Sequence, residues 1–360
     1  MKIAFAVPAP LEAISGGYGY DRRIIAGLRA LGHAVRVEEM AGRHPLPDAE
    51  AEAAARGVLA RLAPGEVLVV DGLGLPAFAP LAELEAMRRA IGLIHHPTAL
   101  ETGFPEADRE ALRERERLLF PRLGRLVTTS KLTAERLEPE FGADPARIGT
   151  VEPGTDEAPR ATGSGRAGCA ILSVGAIVPR KGYDVLLRAL GRLTDIEWDL
   201  TIIGAPRDPV HLQGLQGLQG LQGLQGLQAL AEQLGIAQRV TFAGEMEDAA
   251  LEALYARSDL FALASWWEGY GMAVAEALAR GLPLAITAGG ALADLAPRDA
   301  AVIAQPGDHN SLSRAMRRPI YDTGLRKAMS DAAWRAGQRL PRWSDRAAAF
   351  AREIETAATP

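Results

Sequence analysis

The sequence predicts an α/β fold built as two doubly wound halves, and three observations predict it. Short β-branched or apolar runs alternate with helical patterns along the whole chain, as in parallel sheets covered by helices. The 360 residues suffice for two domains of ordinary size, each with its own core. A small, glycine-rich stretch, APRATGSGRAG at residues 158–168, separates two series of strands as a linker would. The expected domains are residues 1–160 and 168–335, followed by a C-terminal segment, 336–360, whose apolar periodicity over 345–355 predicts a helix without naming its docking partner.

In the first half the strands are expected at KIAFAV, HAVRVEE, EVLVVDG, IGLIHH, RLVTTS and RIGTVE. In the second they are expected at CAILSVG, LTIIG, RVTFAG, LFALAS, PLAIT and AAVIA. Two such domains facing each other would hold a ligand in the cleft between them, at the C-terminal ends of their strands. One segment breaks the pattern, the tripeptide LQG repeated over residues 212–226. A leucine every third residue advances about 300° per step on a helix, so the leucines spiral instead of keeping to one face. Glycine at each third position costs a helix about 1 kcal/mol apiece. The repeat reads as an insertion in a surface connection, which loops accept cheaply, with a helix resuming at Leu227 and ending at Gly235.

Composition narrows the function classes. Hydrophobic residues at 48% and charged residues at 24% describe a globular protein, and a net charge of −5 gives no reason to expect a nucleic-acid partner. The single cysteine, Cys169, excludes an internal disulfide and any multi-cysteine metal site, which suits a reducing cytoplasm. Pro8 and Pro10 cut the first apolar run below signal-peptide length, and no apolar run approaches the ~20 residues that span a bilayer. The densest basic stretch, residues 109–131, interleaves arginines with Glu110, Glu114 and Glu116. That mixing predicts a solvated helix with pairs one turn apart, and peripheral membrane contact through its leucines is the weaker reading.

The chemistry concentrates in WWEGYGMAVAEALARG, residues 266–281. Gly269 and Gly271 flank Tyr270 and free the backbone to turn sharply beside a ligand, and residues 272–280 form an alanine-rich helix stopped by Gly281 and Pro283. A loop running into a helix N-terminus offers N–H groups to an anion, so Glu268 and Glu276 must serve another part of the ligand. A second segment, SVGAIVPRKGYDVLLRAL at 173–190, ends a strand at Gly175 and presents Arg180 and Lys181 before a helix. Two cations there suit a departing diphosphate, although an Arg-Lys pair is also common surface decoration. His95 and His96 follow a strand end in the first half, where adjacent side chains point to opposite faces, so one of the pair is expected to reach a ligand. Asp71 ends another strand and serves equally as a ligand contact or as a cap.

Together these segments resemble the retaining glycosyltransferases of family 4, which share the two-domain, Rossmann-like GT-B fold. The resemblance includes the glycine-rich loop ISGGYGYD after the first strand, whose Gly16 and Gly17 it implies as an acceptor or phosphate loop, the LGHAV strand start, the RKG turn, two glutamates separated by seven residues, ALARGLPLAIT, and PGD at 306–308. It implies that Glu276 holds the ribose hydroxyls of a nucleotide-sugar donor and that Glu268 contacts the transferred sugar. Backbone N–H groups from Gly269 through Tyr270 and Gly271 to Met272 would face sugar and phosphates. Lys181 with Arg180 would meet the diphosphate, and His95 or His96 would approach the reacting sugar. Many relatives carry arginine just after the strand-ending glycine, where this chain has Ala176, and asparagine-glycine where it has EPGTD at 152–156.

The implied reaction moves a sugar from a nucleotide-diphosphate sugar to an acceptor hydroxyl with retention. With no Asp-x-Asp motif and no cysteine or histidine cluster, no cofactor or metal is expected. A retaining glycosidase would hold two carboxylates about 5 Å apart across the sugar, whereas one glutamate here goes to the ribose. Front-face displacement, with the leaving diphosphate helping to deprotonate the acceptor, is therefore favoured over a glycosyl adduct. The rivals are a nucleotide-sugar epimerase on the same fold, revealed by isomerisation of donor alone, and a non-catalytic two-domain ligand-binding protein.

Overall fold

The computed structural model describes residues 1–13, 15–101, 104–206 and 223–358, and each of the twelve predicted strands forms. Most of the LQG repeat, residues 212–222, lies outside the described residues. The chain divides into two compact units, Met1–Gly154 joined by the segment that begins at Pro341, and Thr155–Leu340.

The first unit runs β1 (Lys2–Pro8), α1 (Gly16–Ala30), β2 (Ala34–Met40), α2 (Ala49–Ala60), β3 (Glu66–Asp71), β4 (Ile91–Ile94), α3 (Glu106–Leu119), β5 (Arg125–Thr128), α4 (Lys131–Phe141) and β6 (Ile148–Thr150). Its sheet is parallel, in the order β2-β1-β3-β4-β5-β6. β1, buried along Ile3–Val7, lies between the edge strand β2 and β3, so the order in which strands are added reverses there and the C-terminal ends of β1 and β3 mark the switch point.

The second unit runs β7 (Cys169–Val174), α5 (Tyr183–Leu190), β8 (Trp198–Ile203), α6 (Leu224–Gln233), β9 (Val240–Phe242), α7 (Asp248–Ala256), β10 (Leu260–Leu263), α8 (Met272–Ala279), β11 (Leu284–Thr287), α9 (Leu292–Leu295), β12 (Ala301–Ala304), α10 (His309–Tyr321) and α11 (Thr323–Gly337). Its parallel sheet has the order β12-β11-β10-β7-β8-β9, with the switch point between β7 and β10. Both faces of that sheet carry apolar layers, one including Leu186, Leu200 and Ile202, the other Val274, Leu284 and Ile286.

The structure alters several sequence expectations. Gly16 and Gly17 are not in a loop: the Ser15 side chain accepts from the Tyr18 N–H at 3.1 Å and starts α1 at Gly16. Segment 158–168 does not hang free as a linker. Its backbone N–H groups donate from Ala161 to Arg280 O and from Thr162 to Ala256 O, each at 2.8 Å, and Ser164 Oγ donates to Asp259 at 2.6 Å. The C-terminal helix, α12 (Trp343–Ala358), docks within the first unit, against α1. Ala347 lies so close to Gly27 that a Cβ there would collide with it, and Phe350 and Ile354 are fully buried. The arginines of α3 pair with glutamates, Arg109 with Glu106, Arg113 with Glu110, and Arg115 with Glu52 of α2 at 3.0 Å. No helix of the described residues is long and apolar enough to cross a membrane.

Candidate functional site

In the second unit the strand ends of β7 and β10 converge at the switch point. After β7 the chain passes Gly175 and makes the short turn Pro179–Lys181. Gly182, at φ +61°, then turns into α5, packed so closely on Ala264 O that a side chain would not fit. The Trp266 N–H donates to Arg180 O at 2.8 Å, which clips this turn to the loop after β10. Lys181 Nζ donates to Glu268 Oε1 at 2.6 Å, Ser265 Oγ donates to the same oxygen at 2.6 Å, and Arg180 Nη1 lies 3.5 Å from Oε2. Burial by itself would raise the Glu268 pKa, but Lys181 and Arg180 outweigh it and hold the carboxyl below its ordinary value. Glu268 is therefore an ionised acceptor in a buried setting.

The loop continues through half-buried Gly269 and Tyr270 to Gly271, whose φ of +98° admits glycine readily and opens α8. Its carbonyl takes the first two bonds of the helix, from Val274 at 2.9 Å and Ala275 at 3.0 Å. The N–H groups of Met272 and Ala273 make no bond within the helix, as at any helix start. One turn further, Glu276 is not the isolated carboxylate its apolar neighbours suggest. Tyr255 Oη donates to Oε2 at 3.1 Å, and the Arg280 guanidinium stacks 4.4 Å from the Tyr255 ring. Burial raises the Glu276 pKa, with Arg280 opposing. Oε1 keeps no protein partner among the described residues.

The first unit builds a separate cluster around its own switch point. His95 and His96 lie just past β4: His95 Nε2 sits 3.1 Å from Asp21 Oδ1 and 3.4 Å from Asp71 Oδ2, and His96 is half-buried. Asp71 also accepts from the Leu73 N–H at 2.9 Å, as a cap of the following segment would. Burial disfavours a charged His95, but Asp21 and Asp71 reverse this and raise its pKa to about 10. Burial and the neighbouring Asp71 push Asp21 up to about 7. Gly17 lies against the imidazole, where an added Cβ would come 3.3 Å from Cδ2.

Three atoms of metal-ligand type, from Asp21, Asp71 and His95, thus lie within 4.8 Å of one another. His95 Nε2 faces both carboxylates, an arrangement that suits an ion pair between the ring and the two acids. Sequence spacing missed Asp21, Ser265 and Tyr255. A signal existed for Asp21 alone, an acidic residue in register with Tyr20, Ile24, Ile25 and Leu28 on the buried face of α1.

Residues 156–335 match the family Glycosyl transferases group 1. The D-inositol 3-phosphate glycosyltransferase of Mycobacterium sp. (strain KMS) is 32% identical over 224 residues, covering 57% of this chain and 48% of that protein. The enzyme of the same name from Salinispora tropica is 33% identical over 240 residues, covering 59% and 46%. The chain spans about half the length of the curated relatives it matches. Sucrose-phosphate synthase from Thermosynechococcus elongatus superposes with a TM-score of 0.79 at 18% identity over 98% of both chains. HepE from Anabaena, solved with UDP and glucose, gives 0.77 at 17% identity over 99% of both. These likenesses place the two parallel sheets in the GT-B fold. With half of its length matched and the Lys181, Glu268 and Glu276 segments inside the match, the chain belongs to the group 1 glycosyl transferases.

Proposed function

We propose that the chain transfers a glycosyl group from a nucleoside-diphosphate sugar to an acceptor hydroxyl, with retention of configuration and without a bound metal. The observation that carries this reading is the Lys181–Glu268–Arg180 group beside the start of α8, at the switch point of the second sheet. The ligand this arrangement suits has negative charge at its centre, for two cations and a helix start, and hydroxyls at its ends, for two carboxylates. Glu268 accepts from the transferred sugar, Glu276 Oε1 from the ribose, and the N–H groups from Gly269 to Met272 face the phosphates. Arg180 and Lys181 stabilise the charge of the departing diphosphate. In the step itself the bond from the anomeric carbon to the diphosphate oxygen breaks while the acceptor oxygen bonds to that carbon on the same face. The acceptor proton passes to the leaving phosphate. The names of the curated relatives and the UDP in the Anabaena structure support a nucleotide-sugar donor.

The test is calorimetric titration with UDP, GDP and ADP, with chelator present, on the parent and on Glu276→Ala. Micromolar binding of one nucleotide, lost in the variant, is expected. Absence of binding by all three would sink the donor-site reading. Retention is checked by NMR of the product's anomeric proton once an acceptor is in hand, and an inverted product would exclude the front-face step.

A further inference from the structure

Asp21 is an ionisable side chain on the face α1 turns to the core, and it is 0% exposed. A carboxylate so placed costs several kcal/mol unless a partner compensates it. Its partner is the ring of His95, reached through Nε2 at 3.1 Å, with Asp71 approaching the same nitrogen at 3.4 Å. Two further contacts fix the ring. Tyr20 meets it edge-on with centroids 5.2 Å apart, and the Gly17 backbone closes on Cδ2. The other polar atom of the ring, Nδ1, has no protein partner among the described residues, and the side chain is 24% exposed.

We propose that Asp21 is a positioning residue that, with Asp71, grips His95 by Nε2 and so presents Nδ1–H as a fixed hydrogen-bond donor to a hydroxyl oxygen of the bound carbohydrate. The identity of that ligand rests on the transferase reading above; the grip on the ring does not. With carboxylates on Nε2 the imidazole keeps its proton, and Nδ1–H can donate but cannot accept. His95 is then a rigid donor that orients an oxygen, and proton removal from the acceptor falls to the leaving phosphate. The charged and titratable groups around the ring are Asp21 on α1, Asp71 at the end of β3, and Tyr20, whose hydroxyl donates to Val151 O at 2.8 Å and feels Arg346 of α12.

The experiment is nitrogen-15 NMR of histidine-labelled full chain, following the His95 ring from about pH 6 to about pH 8, the range in which an unperturbed histidine titrates. The parent ring is expected to stay an imidazolium throughout, and the Asp21→Asn ring to titrate inside the range. A parent ring neutral at pH 7, or an Asp21→Asn ring that behaves as the parent's, would overturn the grip whether or not a substrate has been found. Should Asp21→Asn fail to fold, Asp71→Asn carries the same reading. With a donor and acceptor in hand, Asp21→Asn is expected to lower kcat about tenfold or more while KM for the nucleotide sugar changes less than about threefold, the pattern of an interaction made chiefly in the transition state. Unchanged kcat with a titrating ring would overturn the donor role. If calorimetry finds no nucleotide bound, the transferase reading fails by itself and the NMR result still stands.

Discussion

At Glu268 one buried carboxylate answers two cations and a hydroxyl, and no neutral side chain can replace it without leaving charge behind. Glu268→Gln keeps the shape but leaves Lys181 and Arg180 without a counter-charge in a buried setting, where an uncompensated charge is costly. The expected outcome is a fall in kcat/KM of about a hundredfold or more, the scale of losing one preorganised electrostatic group. Steady-state kinetics on a variant with unchanged circular dichroism measures it. The sign of the pH dependence follows from the lowered pKa of Glu268. The ionised arrangement, and the stability it lends, persists above the ordinary glutamate range and is lost only as pH falls through the depressed value. The activity profile is therefore expected to show no acid limb from this group above about pH 5. A limb near neutrality that disappears in Glu268→Gln would contradict this.

Among the elements, α3 shows how a core-facing charge can organise a neighbouring turn. Its buried stripe is Leu112, Glu116 and Leu119, an apolar spacing interrupted by a glutamate. Glu116 accepts from the Thr98 N–H at 2.6 Å, from Thr98 Oγ1 at 2.8 Å and from the Ala99 N–H at 3.2 Å. It caps, from another helix, the turn Thr98–Leu100 that follows His95 and His96 and that Pro97 cannot cap. Burial, opposed by those three bonds, raises its pKa from 4.5 to about 7. The folded protein thus holds this proton more tightly than the unfolded chain, and stability on this account falls as pH rises from about 4.5 to about 7, by on the order of 3 kcal/mol. Glu116→Gln removes the slope. The melting temperature of the variant relative to the parent is expected to rise between pH 5 and pH 8, and a constant difference would count against the assignment. Glu116 was visible in the sequence as one of several interleaved acids, and its burial was not, because that depends on which face α3 turns inward. The strands were legible because apolar runs bounded by breakers are local. Glu268, Glu276 and Lys181 stood out because glycines and a helix start frame them. Asp21, Tyr255 and the choice between His95 and His96 depend on side chains meeting across elements, and no spacing along the chain encodes that. Gly16 and Gly17 looked like a loop because glycine signals turns more strongly than a single capping serine signals a helix.

For the molecule as a whole, the route of the chain matters more than the length of either unit. The first unit is assembled from both ends of the sequence: α12 supplies Phe350 and Ile354 to its core and places Trp343 5.6 Å from the Tyr20 ring. Arg125 at the start of β5 pairs with Glu353, and that carboxylate packs against Gly149 of β6. A chain ending at Leu340 exposes these surfaces, and losing the burial of Phe350 and Ile354 alone costs about 3–6 kcal/mol. The expected result is loss of hydrogen-exchange protection in α1 while β7 and β10 keep theirs. Equal protection of α1 in the truncated chain would show that α12 is dispensable. The same route has a consequence for biosynthesis. α1 is synthesised before residues 155–340 and the helix that covers it after them, so the covered face of α1 stays open while those residues are made. The apolar face around Ile24, Ile25 and Leu28 is then open to aggregation or chaperone capture during translation until α12 has been made and can close it.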